Sequence, residues 1–390
     1  MSLAAEAQTS VPVTPLTKAD SRGRIASVDA LRGFDMFWII GADALFYALN
    51  KLAGGEGKSV IGFFATQLDH VQWEGFHFYD LIFPMFVFIV GVSIVFALSK
   101  RATESGRGAA TAQIFRRAAI LYLLGLFTYD GLAEGWERVR LLGVLQRIAI
   151  CYFFTAIAFL YLKPKALVAL CVSLLVGYWA MMTFIPVPEI GAGNFAEGQN
   201  FANYVDKEYL PLRKWDGDHD PEGLLSTLPA IASCLLGVFA GLWLRRSDVD
   251  DRRKVKMLFA MGGMSVVAGF VWGMQFPVVK KIWTSSFVLV AGGFSAMLLG
   301  LFYLLIDVWK KDWWATPFMW IGTNAITIYL LVHIVDLPKL AERLVGGPVK
   351  AWLDNAIRPG MGDLLIACVA LGAAILFCRF LYRRRIFLKV

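Results

Sequence analysis

The chain has 390 residues, of which 58% are hydrophobic and 17% charged, with a formal net charge of +8. A soluble globular domain is nearer half apolar and a quarter charged, so this composition excludes one. The positive balance does not point to nucleic acid, because the basic residues cluster between apolar runs.

Those runs are about twenty residues each, long enough to cross roughly 30 Å of hydrocarbon as helices. They are continuous rather than alternating, which argues against a transmembrane β-barrel. The expected fold is all-α: a polytopic transmembrane helix bundle of about ten spans. Residues 1–26 are polar, lack an apolar core of signal-peptide length, and are expected to form a flexible cytoplasmic tail. Residues 27–390 are expected to form one transmembrane domain. Spans are placed near 34–53, 79–99, 114–130, 141–162, 165–186, 223–244, 257–276, 283–306, 314–335 and 361–381. Segment 337–358 is amphipathic and suits a short helix at the interface.

With the N-terminus inside, segments 1–33, 100–117, 163–165, 245–256, 309–312 and 379–390 hold 24 Lys and Arg residues, and the outside loops hold 13. This bias places both termini in the cytoplasm. The longest outside loop, 187–222, carries eight acids against three bases. Its stretch "WDGDHDPEG" spaces Asp216, Asp218 and Asp220 like the opening of a calcium loop, but the rest of that frame is missing. The reading is a solvated turn, with His219 solvated, and no metal is expected. The five cysteines lie inside apolar spans and read as small buried hydrophobes.

Ionisable residues concentrate at the mouth of the second span, in "LDHVQWEGFHFYDLIFPMFVFIVG". His70, Trp73, Glu74 and His77 precede Asp80, and His77 and Asp80 share a helical face. Charged groups within spans are costly and usually face the bundle interior. Span 1 carries Asp29 and Arg32, spaced to pair, and Asp43 deeper in. Span 4 begins "RLLGVLQRIAICY", which sets Gln146 and Arg147 inside the membrane. Arg147 needs an acidic or anionic partner, for which Asp43, Asp80 and Glu74 are the candidates. Asn324 and His333 lie near one face of span 9. Arg116 and Arg117 mark the cytoplasmic side, as topology anchors or as phosphate ligands. Competing roles stay open: His70 as a wet-interface histidine, Arg147 as a structural ion pair, Asn324 as interhelical glue. From the residues alone, several helices contribute polar groups to one outward-leaning site opposite a basic mouth. A group-transfer enzyme or a proton-coupled transporter both fit.

The blocks "SVDALRGFDMFWIIGAD", "HVQWEGFHFYDLIFPMFVFIVGVSI", "GVLQRIAICY", "DPEGLLSTLPAIASCLLGVFAG", "PVVKKIWTSSFVLVAGG" and "GTNAITIYLLVH" occur in that order. Together they resemble the transmembrane acyltransferases typified by heparan-α-glucosaminide N-acetyltransferase, in a compact bacterial form. The resemblance implies acetyl-CoA as cosubstrate from the cytoplasmic side, no metal, and acetyl transfer to the amine of a glucosamine-type sugar on the other face. It also implies a homodimer, and the compact chain without an evident signal peptide is expected in a bacterial inner membrane. The family's catalytic histidine precedes W-N-G and then DLVFP, which matches His70. Asp43 and Asp80 would orient its ring. Trp73, Glu74, Gln146, Arg147, Asn324 and His333 would meet substrate, and Arg32, Arg116 and Arg117 would hold nucleotide phosphates. The family carries an asparagine eleven residues after the Arg of "RG"; here Arg32 is followed at that distance by Asp43. A carboxylate can orient a ring or accept a proton, but while ionised it cannot donate as an amide does.

Overall fold

Continuous apolar runs fold as helices because a bilayer supplies no partner for free backbone N–H and C=O groups. A computed structural model describes residues 25–54, 59–128, 133 and 135–388. The described residues form helices and loops, with isolated β-bridges at Glu74–Val279 and Val187–Gly191. Most of the expected tail, residues 1–24, lies outside the described residues, as does the end of the span placed at 114–130.

Helix α1 (Ala26–Phe37) passes through a π turn at Trp38–Ala42, where Gly41 has φ +113°, into α2 (Asp43–Leu52). A short α3 (Val60–Gln67) leads to the loop bearing His70. Helix α4 (Phe78–Leu126) holds both the second and third expected spans, and its backbone leaves helical geometry at Gly106. Helical backbone continues through Pro84, where the sequence suggests a kink. Then follow α5 (Val144–Tyr161), α6 (Pro164–Phe184), the loop helix α7 (Phe201–Tyr209), α8 (Thr227–Arg245), α9 (Asp251–Gly273) and α10 (Ser285–Phe302). The short α11 (Thr316–Gly322) and α12 (Ala325–Ile334) form a pair bent by 65°. The amphipathic segment becomes two helices, α13 (Leu337–Val345) and α14 (Pro348–Ala356), separated at Gly346–Gly347, before α15 (Met361–Arg383).

Seven of the described helices are long and apolar enough to cross a membrane, or eight if the bent pair counts as one span. This count is lower than the expected ten because the second and third spans, which meet at the non-helical Gly106, count together as α4, and the π turn divides the first. The chain is a multi-pass helical membrane protein.

Close helix crossings carry the packing. In lipid, association depends on backbone approach and van der Waals contact rather than on a hydrophobic drive. A Cβ built on Gly91 of α4 would lie 1.9 Å from the Cys234 carbonyl oxygen of α8, and one on Gly237 of α8 would lie 1.9 Å from the Phe88 oxygen of α4. Each helix therefore offers a glycine to the other's backbone. Gly91→Val is expected to destabilise the protein by about 1–3 kcal/mol or more, since backbone cannot move aside as a side chain can. A thermal melt of the detergent-solubilised protein checks this, and an unchanged midpoint would refute the contact.

Candidate active site

Asp80 organises the mouth of α4. Its Oδ2 accepts from the backbone N–H of His77 at 3.0 Å and of Val71 at 3.2 Å, which caps α4 and turns the preceding loop back on itself. Its Oδ1 lies 2.8 Å from His70 Nδ1. One carboxylate, 1% exposed, therefore fixes both the helix start and the imidazole. The His70 side chain remains 52% exposed, so the ring is anchored at Nδ1 while half of its surface stays accessible. Tyr79 stacks against it with ring centroids 4.8 Å apart. The Tyr79 hydroxyl donates to Asp43 Oδ2 at 3.3 Å, so Asp43 reaches His70 through Tyr79. Tyr47 closes the side by donating to Asp69 Oδ1 at 2.7 Å.

The sequence reading did not include Lys280 in the site. Its Nζ lies 2.9 Å from His70 Nδ1, 3.2 Å from His70 Nε2 and 3.5 Å from Asp80 Oδ1. The Glu74–Val279 bridge and the Gly75 N–H to Val278 oxygen bond, 2.9 Å, bring the two loops together. Burial pushes the Lys280 ammonium below its usual range, against the opposing pull of Asp80 and Glu222. The block "PVVKKIW" was visible as a motif, but nothing local to it names a partner 210 residues away.

Arg147 is fully buried on α5. Its hydrogen bonds go to the Gly223 carbonyl oxygen, at 3.2 Å, and to Ser226 Oγ. Its guanidinium lies over the Trp283 ring, 5.0 Å from the centroid. Contact with Asp43, Asp80 or Glu74 is therefore replaced by the turn that leads into α8, through the Gly223 carbonyl and the Ser226 hydroxyl. Nε and Nη1 of Arg147 are buried without hydrogen-bond partners, as is Gln146 Oε1. Gln146 Nε2 donates to the Arg140 carbonyl oxygen at 3.2 Å.

The remaining predicted residues are spread out. Trp73 Nε1 donates to the Phe195 carbonyl oxygen at 3.0 Å, and Glu74 is exposed. Asn324 caps α12 at the bend, its Nδ2 3.5 Å from Thr323 Oγ1. The His333 ring lies on Tyr329 at 4.1 Å. Arg32 pairs with Asp29 at 3.0 Å, as its spacing predicts, and donates to Ser93 Oγ at 2.7 Å. Twenty residues of helix put Lys100 about 30 Å from Asp80. There a pocket of about 560 Å³ is lined by Lys100, Arg101, Glu104, Gln113 and Arg116. Arg117 instead covers the Tyr152 ring at 4.9 Å.

Loop 187–222 is a folded cap rather than a solvated turn. Arg140 Nε and Nη2 hold both oxygens of Asp220, at 2.9 and 2.6 Å, and Nη2 also donates to Glu222. All three residues are buried, as is His219 at 5% exposure. An apolar cluster of Tyr178, Met182, Ala202, Phe276, Val279 and Ile282 seats the cap, with Trp73 and Phe195 packed on it. Four cysteines are buried, but Cys368 is exposed.

Asp206 of α7 accepts from the Leu224 N–H at 2.8 Å, and burial pushes its carboxyl up to about 6. The fold thus favours its neutral form. That contribution is full below the unfolded pKa near 4 and is lost as pH rises through about 6, a span worth about 3 kcal/mol. Asp206→Asn is therefore expected to gain on wild type in melting temperature between about pH 4 and about pH 7. A constant offset across that range would show that Asp206 titrates normally.

Fold and site together define a helical membrane protein with a His–Asp–Lys cluster at one mouth of the bundle. The family model described as "Heparan-alpha-glucosaminide N-acetyltransferase, catalytic" matches residues 24–270, and the chain belongs to that family. The heparan-alpha-glucosaminide N-acetyltransferase of Homo sapiens is 29% identical over 430 aligned residues, 94% of this chain and 60% of that protein. The enzyme of the same name from Mus musculus is 27% identical over 379, 83% of this chain and 55% of that protein. The chain thus spans less than two thirds of the length of these relatives. His70, Asp80 and Arg147 fall within the matched residues; Lys280, Asn324 and His333 lie beyond them.

Proposed function

We propose that the chain is an N-acetyltransferase of a bacterial cytoplasmic membrane, passing the acetyl group of acetyl-CoA from the cytoplasmic side to the amine of a glucosamine-type sugar on the outer face. The observation that carries the reading is His70, half exposed, held at Nδ1 by Asp80 and met at Nε2 by Lys280, at the position the family motif marks.

With Nδ1–H donated to Asp80, Nε2 is the acceptor nitrogen, and the Lys280 ammonium 3.2 Å away turns to the substrate carbonyl to free it for the proton. His70 takes the proton from the acceptor amine as nitrogen bonds to the thioester carbonyl carbon. The carbon–sulfur bond then breaks, and the proton passes to the leaving thiolate. The Lys280 ammonium, beside His70, supplies a donor for the oxyanion that forms, an interaction typically worth a few kcal/mol of barrier. Asp43 positions Tyr79 under the ring. Lys100, Arg101 and Arg116 offer a cationic surface for the donor's phosphates at the opposite end.

The test is CoA release by purified protein with acetyl-CoA, with and without glucosamine. Release that depends on glucosamine, with one N-acetylated sugar per CoA, is expected. Neither release nor acetyl-CoA binding would end the enzyme reading. Uptake of an amino sugar into proteoliposomes without acyl-CoA would replace it with transport.

A further inference from the structure

The cap carries a second cluster, apart from His70. Ligand-type atoms of Glu197, Asp216 and His219 all lie within 4.8 Å of one another. His219 Nε2 is 3.7 Å from Glu197 Oε1 and 3.9 Å from Asp216 Oδ2. These distances are too long for hydrogen bonds. Nε2 is buried and has no hydrogen-bond partner, on a side chain only 7% exposed. The other ring nitrogen, Nδ1, lies 2.8 Å from Asp218 Oδ1. A carboxylate at Nδ1 fixes the proton there and turns the Nε2 lone pair outward. In this chain Nε2 is turned toward two carboxylates, an arrangement that is repulsive unless a proton or a metal cation sits between them.

Lys281 supplies part of that charge, with Nζ 2.6 Å from Glu197 Oε1 and 3.1 Å from Asp216 Oδ2. It leaves the imidazole nitrogen unpaired, however, because its ammonium is engaged by the two carboxylates and does not reach His219 Nε2. We propose that the cap holds a divalent transition-metal ion of the zinc class, bound by His219 Nε2, Glu197 and Asp216, with Asp218 orienting the histidine. An imidazole with two carboxylates suits zinc, whereas calcium takes oxygen ligands. Zinc bonds of about 2.0–2.2 Å would require the carboxylates to close in by about 1 Å. Glu197, which is exposed, and Lys281, whose side chain is 32% exposed, both have room to move. The ion displaces the Lys281 ammonium to solvent. Because Lys281 follows Lys280, which touches His70 and Asp80, occupancy also reaches the loop over the active site. Neither the cysteine spacings nor the Asp216–Asp218–Asp220 spacing points to this cluster in the sequence, and Asp220 is committed to Arg140.

The test uses the full chain in detergent, stripped with chelator and dialysed against micromolar zinc, with metal counted by mass spectrometry. One zinc per chain is expected for wild type. Glu197→Gln and His219→Gln are expected to lose it, Asp218→Asn to bind about 10–100-fold more weakly, and Lys281→Met to bind more tightly. Glu197 is exposed, so its variant keeps the test valid if the His219 variant misfolds. No stoichiometric zinc in wild type, or equal retention by Glu197→Gln, would overturn the site. The readout does not depend on acetyl transfer, so its failure is separate from failure of the proposed activity.

Discussion

Replacing His70 by alanine is expected to lower CoA release in the presence of glucosamine by about 10²–10⁴-fold, the usual range for a positioned acid–base group. The protein itself should survive the change, because the His70 side chain is half exposed and packs mainly on Tyr79. Acetyl-CoA affinity should change little, because the basic surface proposed for the donor's phosphates lies about 30 Å away along α4. Lys280→Met is expected to cost less than His70→Ala, as loss of one oxyanion donor without loss of the base. Asp80→Asn should combine two losses. The amide keeps one acceptor oxygen, but three donors converge on the present carboxylate, the His70 ring and the Val71 and His77 N–H groups. Measuring turnover and melting temperature for each variant separates chemistry from folding. Full turnover in His70→Ala would remove the histidine from the mechanism. Labelled acetyl trapped on wild type and absent from the variant would instead assign it a nucleophilic role.

Much of this site was legible because its parts lie close in sequence. His70, His77 and Asp80 fall within eleven residues, so helix geometry and the cost of a charge at a membrane edge bring them together. The Asp29–Arg32 pair is of the same local kind. Lys280 was not legible: two loops 200 residues apart meet through backbone pairing at Gly75 and Val278, and backbone pairing leaves no side-chain signature. Arg147 shows the converse. Its burial could be read from the apolar run around it, but its partners could not, because a backbone carbonyl at Gly223 and the Ser226 hydroxyl carry no charge that marks them in the sequence. The cap was misread since charge content does not separate a solvated loop from one whose charges neutralise each other internally. The span count differed because hydropathy detects apolar length, while Gly41 and Gly106 decide where one helix ends and the next begins.

Arg140→Met is expected to destabilise the fold by about 3–5 kcal/mol, the cost of leaving buried charge without its counterion. Arg140 lies 4% exposed, with Asp220 at 2% and Glu222 at 8%. The guanidinium also rests on the Trp215 ring at 5.0 Å. Burial pushes the Glu222 carboxyl up, and Arg140 is the chief group opposing that. With Arg140 gone, Asp220 and Glu222 face each other across a backbone turn in which the Glu222 N–H already donates to Asp220 Oδ1 at 2.9 Å. The strain passes directly to Gly223, whose carbonyl accepts from Arg147 and whose Cβ position is filled by the Asp206 carboxylate. The expected result is therefore a lower melting temperature together with a weakened start to α8. The loss should shrink as pH falls and Glu222, whose carboxyl burial already pushes up, protonates. Adding Asp220→Asn and Glu222→Gln to Arg140→Met should recover much of the loss, since it removes the charges rather than their partner. A triple variant no more stable than Arg140→Met would mean that Arg140 acts through its packing on Trp215 and not through its charge.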